Sequence, residues 1–161
     1  MMKTARICIA TVLILVAILL LVLPAKGEDV DCWILCQPDS FVNVRSAPKK
    51  KSEELGRLEC GDHAYTDGVT RRGYLHVYGL SFEMSEGWVH KGYVVYDEPY
   101  KPDVYETQII SNGRVNARRT VNGKRRCWLK NGETIKVYMV SFEWAVTNKG
   151  FVKTKFIDLG T

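Results

Sequence analysis

Amphipathic helical patterning is missing from the sequence after Gly27. In residues 28–161, apolar residues do not recur at the three- and four-residue spacing of a helix face. Histidine is also scarce, and the three in the chain, His63, His76 and His90, all lie in its first two thirds. A Cys/His hydrolase needs a thiol and an imidazole base on a rigid catalytic domain, and no stretch of chain remains to build one. We therefore expect neither a helical fold nor an enzyme.

Short alternation of apolar and polar residues takes the place of helical patterning. Val42 and Val44 alternate with polar neighbours, and longer alternating runs occur at 74–78 and 134–139. A period of two is typical of half-buried strands. Turns are marked by dipeptides that tolerate positive φ, namely Asp67-Gly68, Asn112-Gly113, Asn122-Gly123 and Asn131-Gly132. Many short strands with frequent turns predict an all-β fold, a small barrel or a sandwich.

Residues 1–27 have the layout of a secretory signal peptide. A positively charged start precedes an uncharged apolar run at 7–23, and the small residues Ala25 and Gly27 follow at the positions that a signal peptidase reads. The alternative is an uncleaved anchor, because the run reaches the low end of the roughly 17–25 residues that span a bilayer. In that case residues 7–23 would be the only membrane contact. Both interpretations predict an extracytoplasmic chain, secreted or associated with the cell envelope.

The exported part divides into two similar halves. Two prolines and four charges in residues 97–103 predict a linker at 99–103, between modules at 28–98 and 104–161. Three short segments of the first module return in the same order in the second: 42–45 as 115–118, 61–62 as 132–133, and 87–90 as 150–153. Three matched segments in order indicate a diverged internal repeat.

The first repeat carries four spaced motifs. They are VNVRSAP at 42–48, Leu55-Gly56 followed by Gly61-Asp62, GYLHV at 73–77, and GWVHKGYV at 87–94. With them, residues 36–95 resemble a bacterial SH3-like domain. The second copy, residues 109–159, resembles it less, because Arg-Thr-Val stands where the proline is expected and Phe151 replaces the tryptophan. The resemblance implies two small SH3-like barrels in tandem.

The same resemblance implies a binding protein of the bacterial cell envelope. The expected ligand is peptidoglycan or wall peptide, and the expected role is targeting without catalysis or a cofactor. The alternative is a structural or scaffolding subunit of an envelope or secretion assembly that binds only protein. Nucleic acid is not an expected partner, because the polyanions outside a cell are wall polymers and lipid headgroups.

Aromatic residues are dense in the first module. Tyr65, Tyr74, Tyr78 and Tyr93 lie near Trp88 in the proposed order of the fold. Peptide grooves in small barrels are often lined by aromatic rings, because flat rings supply contact area at low entropic cost. We therefore predict ligand contacts among the four tyrosines, with part of the set belonging to the core. Two positions are open for Trp88: a core ring, which would matter in a domain that buries so little surface, or a surface ring in contact with the ligand.

Positive charge is concentrated in the second module. Residues 28–100 hold eight Lys/Arg against thirteen Asp/Glu, whereas residues 101–161 hold twelve against five. The predicted ligand-binding cations flank the Asn122-Gly123 turn: Arg118, Arg119, Lys124, Arg125 and Arg126. We expect a projecting loop that binds an anionic wall polymer through charge-assisted hydrogen bonds. The alternative is a solvated loop without a ligand.

Four cysteines remain in the exported part of the chain. In a small exported protein they predict disulfides, and we expect Cys60 to pair with Cys32 or Cys36. Cys127 would then pair across the modules or with another molecule. The alternative is a zinc site, since Cys32-x3-Cys36 with Cys60-x2-His63 supplies four ligands that zinc accepts. An oxidising compartment favours the disulfide.

Overall fold

The computed structural model describes residues 29–80, 84–102 and 105–159. The predicted signal peptide or anchor, residues 1–27, lies outside the described residues. In the part of the chain that is described, no helix is long and apolar enough to cross a membrane.

Strands dominate the described chain, and two short 3₁₀ turns are the helical elements found in it. The 3₁₀ turns span Lys91–Tyr93 and Thr154–Phe156. The strands are β1 Val30–Ile34, β2 Phe41–Arg45, β3 Glu54–Glu59, β4 His63–Thr66, β5 Thr70–Arg71, β6 Tyr74–Tyr78, β7 Glu86–His90, β8 Val94–Val95, β9 Tyr105–Gln108, β10 Val115–Arg118, β11 Arg125–Leu129, β12 Thr134–Val140, β13 Trp144–Thr147 and β14 Gly150–Lys153. The prediction of an all-β chain is confirmed.

The strands form two antiparallel sheets of the same topology. The first has the order β3-β2-β7-β6-β4-β1-β8, with β5 paired to β6. The second has the order β11-β10-β14-β13-β12-β9. Strand for strand, β10, β11, β12, β13 and β14 occupy the places of β2, β3, β4, β6 and β7. Hydrogen bonding leaves both sheets open, so the closed barrels that were expected are not formed.

Matching segments of the repeat also have matching local geometry. Gly61 precedes β4 and donates its N–H to the Ile34 carbonyl oxygen at 2.7 Å, and Gly132 precedes β12 and donates to Ile109 at 2.8 Å. Both glycines have positive φ, 95° and 74°, which residues with a Cβ rarely adopt. The short Gly-Asp and Gly-Glu signals in the sequence therefore mark the same turn in each module.

Each sheet packs around its own core. Val42 and Val44 on β2 are buried, while Asn43 and Arg45 between and after them lie on the opposite face. Strand β10 repeats this alternation. Burying an aliphatic side chain of this size contributes about 1.5–3 kcal/mol, so the alternating pattern specifies which face of each strand turns inward.

A third apolar cluster, which we call the junction cluster, joins the two modules. Leu35 and Val95 of the first module pack with Met139, Trp144 and Phe151 of the second, and all five are buried. The predicted linker takes part in the second sheet instead of running free. Tyr100 and Val140 exchange two backbone hydrogen bonds, at 2.9 and 3.0 Å. The two modules are therefore packed together, with a shared apolar interface.

The turn between β10 and β11 also contacts the first module. Val121 at its tip is buried in the junction cluster, and its N–H donates to the Gly92 carbonyl oxygen at 2.8 Å. The expectation of a projecting loop is wrong at this point, because an apolar residue among the cations anchors the turn. Only the flanks of this hairpin present their charges to solvent.

Candidate ligand-binding face

Strand β6 exposes three rings on one side of the first sheet. Leu75 and Val77 point into the core, so Tyr74, His76 and Tyr78 lie together on the opposite face. This is the period-two alternation of a half-buried strand. Two of the predicted tyrosines are thus brought onto one surface.

Strand β7 adds a second row beside β6. Tyr74 stands opposite His90, and His76 stands opposite Trp88. Of the two positions considered for Trp88, the structure shows the surface one: Val89 is the buried residue, with no exposed surface, and Trp88 is half-buried on the outer face. Adjacent residues of a strand point to opposite faces, so only one of the two can reach the core.

Strands β4 and β1 extend the rows on the far side of β6. The ring centroids of Trp33 and His63 are 5.1 Å apart, those of His63 and Tyr65 4.8 Å, and those of Tyr65 and Tyr78 6.1 Å. His76 and Trp88 are separated by 5.2 Å. We call this surface the aromatic–histidine face; it consists of Trp33, His63, Tyr65, Tyr74, His76, Tyr78, Trp88 and His90.

Tyr93 is the one predicted tyrosine that lies elsewhere. It follows the aromatic–histidine face in sequence but is half-buried at the junction, where its ring centroid is 6.4 Å from that of Phe151. Its ring also lies 5.8 Å from His90 at the edge of the face. The structure therefore places Tyr93 mainly in packing between the modules.

Carboxylates orient the polar rings of the face. His63 Nε2 lies 2.7 Å from an Asp31 oxygen, and His76 Nδ1 lies 3.0 Å from Asp67. Tyr78 donates its hydroxyl to Asp29, which raises the pKa of the phenol to about 12. Such contacts hold each ring in one orientation, and a preorganised surface loses less entropy on binding a ligand.

Two further pKa values describe the margins of the face. Burial, and to a lesser extent the charge of Lys91, lowers the pKa of His90. Burial opposes ionisation of Asp67, but hydrogen bonds from the Val69 amide and from His76 outweigh it and lower its pKa. The guanidinium of Arg71 lies 6.0 Å from the Trp88 ring centroid. The face can therefore offer apolar stacking, the neutral imidazole of His90 and fixed carboxylates to a ligand.

The predicted cations lie on the hairpin formed by β10 and β11, which we call the cationic hairpin. Arg118 donates from Nη1 to the Gly123 carbonyl oxygen at 2.7 Å, and Arg119 N–H donates to the Lys124 carbonyl oxygen at 3.0 Å. The Arg125 guanidinium stacks 4.1 Å above the Trp128 ring. Arg126 is exposed, next to it on β11. The hairpin and the aromatic–histidine face are two separate surfaces.

The four described cysteines are free thiols, so the predicted disulfide is absent from this structure. Cys60 lies beside Cys36: its Sγ is 2.9 Å from the Cys36 carbonyl oxygen and 3.0 Å from the Cys36 nitrogen. The Cys60 Sγ is also 3.4 Å from the Met139 sulfur. Cys32 is buried in the first core, and Cys127 packs against the second. Of the two partners considered for Cys60, the structure brings Cys36 into contact.

Interaction between the two thiols separates their acidities. The hydrogen bond with Cys36, opposed by burial, lowers the pKa of Cys60 to about 7, and the same bond raises the pKa of Cys36. Among the described residues, no group of three His, Cys, Asp or Glu side chains is arranged to hold a metal. The zinc alternative thus lacks its ligand set, since His63 is turned toward Asp31.

The histidines and Trp33 were not among the residues predicted to contact a ligand. The alternation Tyr-His-Tyr at 74–78 places His76 beside the two tyrosines, and this signal is readable from the sequence. The register that sets Trp88 opposite His76 depends on strand pairing, which the sequence pattern does not give.

Comparison with known proteins yields little that bears on this site. No family model matches the chain, and no curated protein does. Two solved structures, NlpC1 and NlpC2 from Trichomonas vaginalis, align with 83% of the chain at 9% identity and a TM-score of 0.37. The chain spans about half the length of those proteins, 46% and 47%. Similarity of this size assigns neither fold nor function.

Proposed function

We propose that the protein is an exported, non-catalytic binding protein of the bacterial cell envelope, built from two SH3-like modules, that recognises peptidoglycan or wall peptide. The observation that carries this proposal is the aromatic–histidine face, where rings from four strands share one surface of the first module. The likeness of residues 36–95 to bacterial SH3-like domains suggests the ligand.

The chemistry of the face suits a ligand that is flat in part and polar in part. Rings such as Trp88 and Tyr65 cover apolar and backbone surface, while His63 and His76 add hydrogen-bonding groups between them. Aromatic side chains supply this kind of contact with little loss of conformational entropy. Salt weakens such contacts little, because they depend mainly on apolar burial.

The cationic hairpin supports a second, electrostatic contact with an anionic wall polymer. Exposed charges act through solvent, so their contribution falls with salt as the Debye length shrinks from about 8 Å at physiological ionic strength. The two contacts would thus differ in salt dependence. We propose that the face provides specificity and the hairpin provides attachment.

One observation favours the alternative, a scaffolding subunit that binds only protein. Phe142 is 86% exposed, beside a cavity of about 670 Å³ that Tyr100 and Leu159 also line. An exposed large apolar ring next to a groove is typical of protein interaction sites. This surface lies on the second module and is separate from the aromatic–histidine face.

Sedimentation with purified peptidoglycan tests the proposal. Trp88→Ala should weaken binding by about 2 kcal/mol, or roughly thirtyfold in Kd, as for a central aromatic contact. The matched control is Trp128→Ala, since Trp128 is a partly exposed tryptophan on the cationic hairpin. It should leave binding to peptidoglycan stripped of anionic polymers unchanged. Absence of binding by the unaltered chain would favour the scaffolding role.

A further inference from the structure

A small cavity at the junction of the modules is lined by three arginines. Arg118 ends β10, Arg119 follows it and Arg126 lies on β11, and Gly150 completes the wall on the second module. Gln37 closes the cavity from the first module, from the segment between β1 and β2. The cavity volume is about 280 Å³.

The arginines bring positive charge that the described structure does not neutralise. Within residues 29–80, 84–102 and 105–159, none of Arg118, Arg119 and Arg126 forms a salt bridge. Arg118 uses one N–H for the Gly123 carbonyl oxygen. A guanidinium carries five N–H donors and no acceptor, so most donors of the three groups remain free for a ligand.

Gln37 completes the lining of the cavity from the first module. Its Nε2 has no hydrogen-bond partner among the described residues, but that atom is buried and does not reach the wall of the cavity. The cavity thus combines three arginines with no carboxylate in its lining.

We propose that this cavity is a binding site for a phosphoryl oxyanion, formed jointly by the two modules. Guanidinium groups bind tetrahedral oxyanions in paired hydrogen bonds. The volume suits a single phosphate group better than a sugar chain, since pockets for larger ligands begin near 300 Å³. Lys124 and Arg125 do not line the cavity.

A phosphodiester of an anionic wall polymer and free inorganic phosphate present the same chemistry to this site. Assigning the polymer as the natural source rests on the proposed function, whereas the site itself does not. The cavity would bind one phosphate of the polymer, and the neighbouring cations would attract the other phosphates of the polymer through solvent.

Titration of the full chain with inorganic phosphate, by calorimetry and by ¹⁵N–¹H spectra, tests the site. Arg126→Gln and Arg119→Gln should each weaken phosphate binding by at least about tenfold, as for loss of a charged hydrogen bond. The matched control is Arg125→Gln, whose guanidinium stacks on Trp128.

Arg125→Gln should leave phosphate affinity within about twofold, since it removes the same charge from a position outside the cavity. Loss of affinity equal to that of Arg126→Gln would show diffuse electrostatic attraction and overturn the site, as would the absence of saturable binding. Glycerol 3-phosphate and walls with or without their phosphate polymers separate the sources. If the unaltered chain binds phosphate and Arg126→Gln weakens that binding but leaves retention on walls unchanged, the site is supported and the polymer is removed as its source.

Discussion

Replacing Phe151 by alanine should destabilise the protein far more than replacing Trp88 by alanine, although the two residues occupy equivalent positions. Trp88 pairs with Arg45 on β2, and Phe151 pairs with Arg118 on β10. In the first module Trp88 is half-buried on the outer face of the sheet. In the second, the corresponding face is covered by the first module, and Phe151 is 1% exposed in the junction cluster.

The expected magnitudes follow from this difference in burial. Phe151→Ala removes a fully buried ring and should cost about 3–5 kcal/mol. Trp88→Ala removes cross-strand contact with His76 on an open face and should cost about 1 kcal/mol or less. Urea unfolding followed by circular dichroism measures both. Equal costs for the two variants would refute the assignment of Trp88 to an exposed face.

Three further predictions concern single positions. Iodoacetamide should label Cys60 at a rate that rises around pH 7, because the pKa of this thiol is about 7. Cys32 is buried and has a pKa of about 11, so it should stay unlabelled. An unreactive Cys60 in unreduced protein would instead indicate the disulfide. The lowered pKa of Asp67 stabilises the fold above the ordinary carboxyl range, and this contribution is lost as pH falls through the lowered value. The free energy of unfolding of Asp67→Asn should therefore decrease less with falling pH than that of the parent chain. An identical pH dependence for the two proteins would contradict this. Gly150→Ala should lower the free energy of unfolding in urea by about 1–3 kcal/mol, because its φ is 122° and the new Cβ would lie 2.4 Å from a carbonyl oxygen. Gly113→Ala is the control, since a Cβ there has no atom within 4 Å. Equal costs for the two variants would refute the reasoning.

Sequence patterning predicted the strands and the repeat because both depend on local chemistry. Alternation at Val42 and Val44 returns as buried strand β2, and the paired Gly61 and Gly132 signals fall at equivalent turns. Topology follows less directly, since closed barrels were expected and the sheets are open.

Which face of a strand stays exposed could not be predicted in the same way. Alternation predicts that Trp88 and Val89 point to opposite faces of the sheet, but it does not predict which of the two residues is buried in the core. The burial of Phe151 in the second module could not be predicted from alternation either, because Phe151 packs against the neighbouring module. Likewise, Val121 among the cations gave no sign that the turn would contact Gly92.

Spectral mapping of ligand binding tests the central claim most directly. ¹⁵N–¹H spectra of the chain should be recorded during titration with soluble peptidoglycan fragments. We expect saturable shifts confined to strands β4, β6 and β7 and to the Trp33 and Trp88 indoles, with the Trp128 indole unchanged as an internal control. Shifts confined to the surface around Phe142, or the absence of any saturable shift, would contradict it.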